Sequence, residues 1–219
     1  MKTAEFHFVD MDHYERREHF EYYTKLVRTN YNLTANIDLT ALHKRIKEKE
    51  IRFYPTFIFA IIKGINQNKE FRMQVDQSGR LGYWDFLHPS YTIFHEDDHT
   101  FSDIWTEFNP KFTVFYKNAL EDIVRYKEVK GVKAKPNKLQ NFCPISGVPW
   151  LHFSNYSCDT FSEPHMYFPV ISFGKYIEKE GKIEIPLSIF VNHAVADGYH
   201  SCKLLNDIQN IVQKAEEWI

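Results

Sequence analysis

The sequence has no long apolar run, no marked excess of either charge and too few cysteines for a disulfide framework, and each shortage removes a class of protein. The most apolar stretch, Phe57 to Ile62, falls far short of the ~20 residues that cross a bilayer. A net charge of −2 gives no electrostatic reason to expect nucleic acid or an anionic membrane as partner. Cys143, Cys158 and Cys202 are odd in number and lack paired spacing, which fits reduced thiols in a cytosol. The opening residues MKTAEFHFVD contain no apolar segment of the signal-peptide kind, so a cytoplasmic location is expected. Repeats and low-complexity linkers are also missing, and one domain over residues 1–219 is the expectation.

What is present suits an α/β domain. With 43% apolar residues over 219 positions, the chain can bury a sizeable core. Glu5 to Val9 alternates like a strand. Asp12 with Glu15 three residues on predicts a capped helix through about Val27. Tyr31, Leu33, Ala35 and Ile37 alternate as a strand, Asp38 caps a short helix, and Pro55 opens an apolar helix ending near Gly64. Phe71–Val75 and Leu81–Trp84 flank Asp-Gln-Ser-Gly and predict a hairpin. Tyr91 to His95 reads as a strand. Phe112, Phe115, Ala119, Ile123 and Tyr126 recur at helical spacing, which marks a core-facing helix. Further strands are expected at Trp150–Phe153 and Tyr167–Phe173, then a final amphipathic helix through Leu204, Leu205, Ile208, Ile211 and Val212. The lysine-rich stretch from Lys127 to Lys138 reads as a solvated loop or an attractor for an anionic cofactor.

Ile183 to His200, IEIPLSIFVNHAVADGYH, organises the rest. Its first half alternates as a strand that Pro186 pushes towards an edge or bulge; Asn192 and His193 close it. Imidazole exchanges protons near neutrality, so a histidine delivered by a rigid strand end suits general-base work. Asp197 follows four residues on, and Gly198 is expected to adopt an angle that a Cβ would resist. Two metal readings compete: His193, Asp197 and His200 on one helix face, and the His-Glu-x-x-His spacing of His95 to His99. Gly198 weakens the first, and the strand-like pattern before His95 weakens the second, so no metal is expected.

NHAVADGYH resembles the signature of the chloramphenicol acetyltransferase family, usually His-His-Ala-Val-Cys-Asp-Gly-Phe-His. Arg-Arg-Glu-His-Phe-Glu at 16–21, Phe-Tyr-Pro at 53–55, Glu-Phe-Arg-Met at 70–73, Tyr-Thr-Ile-Phe-His at 91–95, Thr-Phe-Ser at 100–102, Pro-Trp at 149–150 and Gly-Lys-Tyr at 174–176 resemble further family blocks in family order. The resemblance implies a two-layer α/β sandwich, a mixed sheet with helices packed on one face, assembled as a homotrimer with active sites between subunits. It implies acetyl-CoA as acetyl donor and chloramphenicol as acceptor, with antibiotic resistance the result.

By the same resemblance, His193 would be the general base, Ser146 the hydroxyl donor to the oxyanion, and Asp197 a structural partner of Arg16. Arg52 and Lys175 would lie near the CoA phosphates, Trp150 and Tyr176 against nucleotide and pantetheine, and Ser172 in place of a threonine that holds water near the oxyanion. Tyr23, Tyr31, Phe101, Tyr156, Cys158 and Val170 would line an aromatic acceptor pocket. Departures stand at Asn192, Ala196 and Tyr199 beside the catalytic turn, and at Asp103, Lys133 and Pro144 near the acceptor. They keep open an O-acetyltransferase for another small hydroxylated acceptor, or a relative that only binds and sequesters a drug.

Overall fold

The computed structural model describes residues 3–137, 139–158 and 167–219. The alternating run becomes strand β10 (Lys182–Asn192), on which the larger sheet is built. Its odd-numbered side chains, Ile185, Leu187, Ile189 and Val191, are at most 1% exposed within the core, while Ser188 and Phe190 point to the opposite face. Strand β2 (Asn30–Asp38) lies antiparallel along one side of β10, and β8 (Val170–Phe173) antiparallel along the other. Strands β7 (Phe142–Gly147) and β5 (His88–His95) continue the sheet in parallel, and β6 (Thr100–Trp105) closes it antiparallel to β5. The order is β2-β10-β8-β7-β5-β6, with β9 (Ile177–Lys179) folding back on the start of β10. A smaller antiparallel sheet holds β1 (Phe6–Phe8), β4 (Leu81–Trp84) and β3 (Met73–Val75) in the order β1-β4-β3.

Helices α2 (Thr40–Glu48), α3 (Phe53–Asn66), α4 (Phe112–Tyr126) and α5 (Gly198–Gln213) form the second layer, a two-layer α/β sandwich as expected. Helix α3 has almost no polar stripe because it packs against the sheet, α4 and α5; Phe57 to Ile62 are wholly buried. Gly64 permits the close α3–α5 contact: a Cβ there would lie 2.6 Å from Ile208 Cγ1. Among the described residues, no helix is long and apolar enough to cross a membrane.

Several expectations need correction. The helix proposed from Asp12 to Val27 is only α1 (Arg17–Glu21), continued by a π-helical turn over Tyr22–Leu26. Asp12 accepts from Arg17 Nη1 at 3.1 Å instead of capping. Residues 150–153 are irregular with Trp150 and Leu151 exposed, and the strands run through β6 and β7 instead. Pro186 is not on an edge. Its carbonyl accepts from Gly174 N at 3.0 Å, so its missing N–H faces the side where β8 has already ended, and the ladder to β2 loses nothing. Gly198 has no left-handed φ and open space where a Cβ would sit, so glycine is not demanded by the backbone there. The lysine-rich stretch is only partly solvated: Lys135 is 16% exposed, 2.6 Å from Asp122 Oδ1 and 4.1 Å from the Trp105 ring, and Lys138 lies outside the described residues.

Candidate active site

The turn after β10 is built from local hydrogen bonds. Asn192 Oδ1 accepts from Ala194 N at 2.9 Å, and the Asn192 carbonyl accepts from Val195 N and Ala196 N. Asparagine is thus a working turn residue where the signature has histidine. His193 N donates to Thr29 O at 3.0 Å, tying the turn to the chain entering β2. The imidazole itself lies parallel to the Tyr23 ring, with centroids 4.0 Å apart and planes 9° apart, and meets Tyr31 edge-on at 5.2 Å. Its Nδ1 is buried and has no hydrogen-bond partner among the described residues.

Asp197 caps α5 and anchors the turn. It accepts from Arg16 Nη1 at 2.5 Å, from Tyr199 N at 3.1 Å and from His200 Nδ1 at 2.8 Å. Asp197 N also approaches His200 Nδ1 at 3.3 Å, but one ring nitrogen serves one role, and the shorter carboxylate contact decides it. Burial opposes the charge on Asp197, yet the hydrogen bonds from His200 and Arg16 outweigh it and hold the carboxyl at about 2. Arg16 is itself mostly buried, with Nε and Nη2 lacking partners among the described residues, so its charge leans on Asp197.

A second cluster lies on the sheet face that the helices leave free. Ser146 on β7 sits beside Ser172 on β8, Ser172 beside Ser188 on β10, and Ser188 beside Thr34 on β2, a row of hydroxyls across four strands. Thr34 Oγ1 is 3.0 Å from Ser188 Oγ, and Ser188 Oγ donates to the Tyr156 carbonyl at 2.5 Å. Thr34 also reaches Asn155 Oδ1 at 3.0 Å, and Asn32 Nδ2 reaches Ser157 Oγ at 2.6 Å, so residues 155–157 are clasped over the row.

Next to Ser146, a cleft of about 650 Å³ is lined by Tyr54, Phe94, Gly147, Trp150, Lys175 and Tyr176 among others. Trp150 and Tyr176 are exposed, and Trp150 meets Phe94 at 4.6 Å. Arg52 precedes Phe53, another lining residue, and its side chain is exposed at the N-terminus of α3. A cleft with aromatic walls and cations at its mouth suits an extended anionic nucleotide thioester. A larger cavity of about 690 Å³ opens at the far ends of β5 and β7, around His88, Phe108 and Asn141, and contains no residue singled out from the sequence.

The six proposed acceptor residues divide. Tyr23 and Tyr31 wall the imidazole, whereas Phe101, Tyr156 and Val170 belong to the helix-free side, Val170 opposite Phe190 and Phe101 opposite Phe94, and Cys158 is exposed. None of the six lines the cleft beside Ser146. His193 and Ser146 do not meet either. From Ser188, His193 is five residues along β10, roughly 17 Å, while Ser146 is two strands away, roughly 10 Å. The rival metal motif is dispersed: His95 ends β5 with Nε2 2.7 Å from Ser102 Oγ, and His99 occupies the turn to β6 with φ 56°.

A family model described as "Chloramphenicol acetyltransferase" matches residues 4–209. The chain belongs to the chloramphenicol acetyltransferase family. Similar curated relatives include chloramphenicol acetyltransferases of Clostridium butyricum, 42% identical, and Clostridium perfringens, 40% identical, each aligned over 98% of both chains. One from Staphylococcus aureus is 36% identical over 98% of this chain and 99% of its own. Among solved structures, a chloramphenicol acetyltransferase superposes with a TM-score of 0.85 over 95% of this chain and 100% of its own at 19% identity. A probable dihydrolipoamide acetyltransferase from Listeria monocytogenes reaches 0.65 over 92% of each chain at 13% identity, a likeness of fold. What a single sequence could not reveal within this chloramphenicol acetyltransferase fold is the set of lateral ties, from Asn192, Thr29, Ser188 and Ser201, that fix the site from neighbouring elements.

Proposed function

We propose that this chain transfers the acetyl group of acetyl-CoA to a hydroxyl of chloramphenicol, at sites shared between neighbouring copies of a homotrimer. The observation that supports the sharing is the separation of His193 from Ser146, which one chain does not bring together. The substrate is favoured by close relatives named for it over nearly their whole length. His193 Nε2 takes the proton of the acceptor hydroxyl as its oxygen attacks the thioester carbonyl. Ser146 of the neighbouring copy donates its hydroxyl to the oxyanion so formed. The protonated imidazole then returns its proton to the departing sulfur, and no covalent acyl-enzyme is required. Arg52, Trp150, Lys175 and Tyr176 hold the donor in the cleft, and Ser172 extends the hydroxyl row beside Ser146.

A second acceptor remains a specific alternative. Asp103, with its carboxylate 2.6 Å from Ser90 Oγ, sits opposite Thr92 on β5, on the strand beyond the one bordering β7, and Pro144 borders Ser90. A more polar acceptor would suit that face. Thiol release from acetyl-CoA distinguishes the cases: fast release with chloramphenicol supports the first, release only with another alcohol the second, and tight drug binding without release a sequestering protein. Ser146→Ala removes one oxygen and should lower kcat by about 10² to 10³ with little change in either KM. His193→Ala should lower kcat by at least about 10². Refolding these two variants together should restore about a quarter of parental activity, because some interfaces then pair an intact base with an intact serine. No recovery in a mixed assembly of correct mass would refute sharing.

A further inference from the structure

We propose that Ser201 is a positioning residue for the histidine base, acting through Tyr31; this rests on His193 serving as that base. No side-chain hydrogen bond among the described residues fixes the imidazole, whose Nδ1 is buried without a partner. The aromatic rings against it therefore set its tilt, Tyr23 by parallel stacking and Tyr31 by its edge. An edge contact alone lets a ring slide. Tyr31 is prevented from doing so because its hydroxyl lies 2.7 Å from Ser201 Oγ, and Ser201 is wholly buried in α5. At its other end Tyr31 is fixed on β2, paired with Val191. Ser201 N also donates to the Asp197 carbonyl at 3.0 Å, so the first turn of α5 holds both the capping aspartate and the anchor of the aromatic wall. The hydroxyl pair spans 170 positions of sequence and links the strand entering the site to the helix leaving it. A small displacement of a base from its line of attack can cost up to about 10² in rate, so a wall that loosens without disappearing should cost less.

Three variants test this in the assembled enzyme: Tyr31→Phe, Ser201→Ala and the two combined. Tyr31→Phe deletes one oxygen and keeps the ring, which protects the test against simple misfolding. Each single change should lower kcat about 3- to 10-fold with the KM for acetyl-CoA unchanged, and the double variant should fall no further than either, as coupled partners do. In ¹⁵N-histidine spectra the His193 ring signals should shift or broaden alike in all three. Lower Tm with parental kcat and unchanged His193 signals would reduce the bond to a structural tie and overturn the proposal, as would fully additive losses. If the parent released no thiol with chloramphenicol, the proposed activity would fail, while the ring signals would still decide the positioning role.

Discussion

At the scale of single residues, the charge held beside the catalytic turn has a definite consequence. Asp197→Asn keeps the shape but strips the partner from a mostly buried Arg16, so stability and activity should fall together. In a double-mutant cycle with Arg16→Ala, a coupling of about 1 to 3 kcal/mol is expected, and strict additivity would reopen a direct catalytic role for the aspartate. His88 supplies a pH signature away from the site. Burial pushes its imidazole down to about 4 from the ordinary 6.5, and Nδ1 accepts from Phe108 N at 2.7 Å. Because the unfolded chain binds a proton that the folded one refuses, stability is full above pH 6.5 and declines as pH falls towards 4, by about 3 kcal/mol. Urea unfolding at pH 7.5 and 4.5, at fixed protein concentration, should show the drop, and His88→Gln should flatten it. His193 and Asp197 stood out in the sequence because they lie four residues apart on one strand-to-turn segment, whereas Ser146 was singled out only by its likeness to a family block. Ser201 did not stand out, since its meaning depends on a strand 170 positions away.

At the scale of elements, periodicity found what has one polar and one apolar side. Helices α4 and α5 and strand β10 fall where the spacing put them. Strands β6 and β7 escaped notice: β7 contains Pro144, and in β6 Phe101 is exposed while Ser102 is wholly buried, so neither alternates in the ordinary sense. Conversely, Trp150 and Leu151 looked strand-like but are both exposed, and Trp150 lines the cleft, where an apolar surface suits a ligand better than a core. The α3–α5 contact gives a packing test. Gly64→Ala adds a methyl 2.6 Å from Ile208 Cγ1, and overpacking should cost about 1 to 3 kcal/mol, partly offset by alanine's helix preference of about 1 kcal/mol. Thermal unfolding of the intact assembly should show a lower Tm, and an unchanged Tm would mean that Ile208 yields without strain.

At the scale of the whole molecule, the proposed sharing of the site predicts that activity depends on assembly. Specific activity should fall on dilution at the same protein concentration at which light scattering shows the oligomer coming apart, and a fully active monomer would refute the arrangement. The family likeness raised that expectation, and the strand register, which keeps His193 and Ser146 apart within one chain, supports it. The alternation along β10 has one more consequence, and it concerns descent. The side chains that hold the molecule together and those that face the hydroxyl row occupy opposite sides of the same strands. Substitutions on the hydroxyl-row side can therefore change its chemistry without opening holes among Ile185, Leu187 and Ile189. A lineage built this way can vary one side of its sheet while the packed side passes from ancestor to descendant undisturbed.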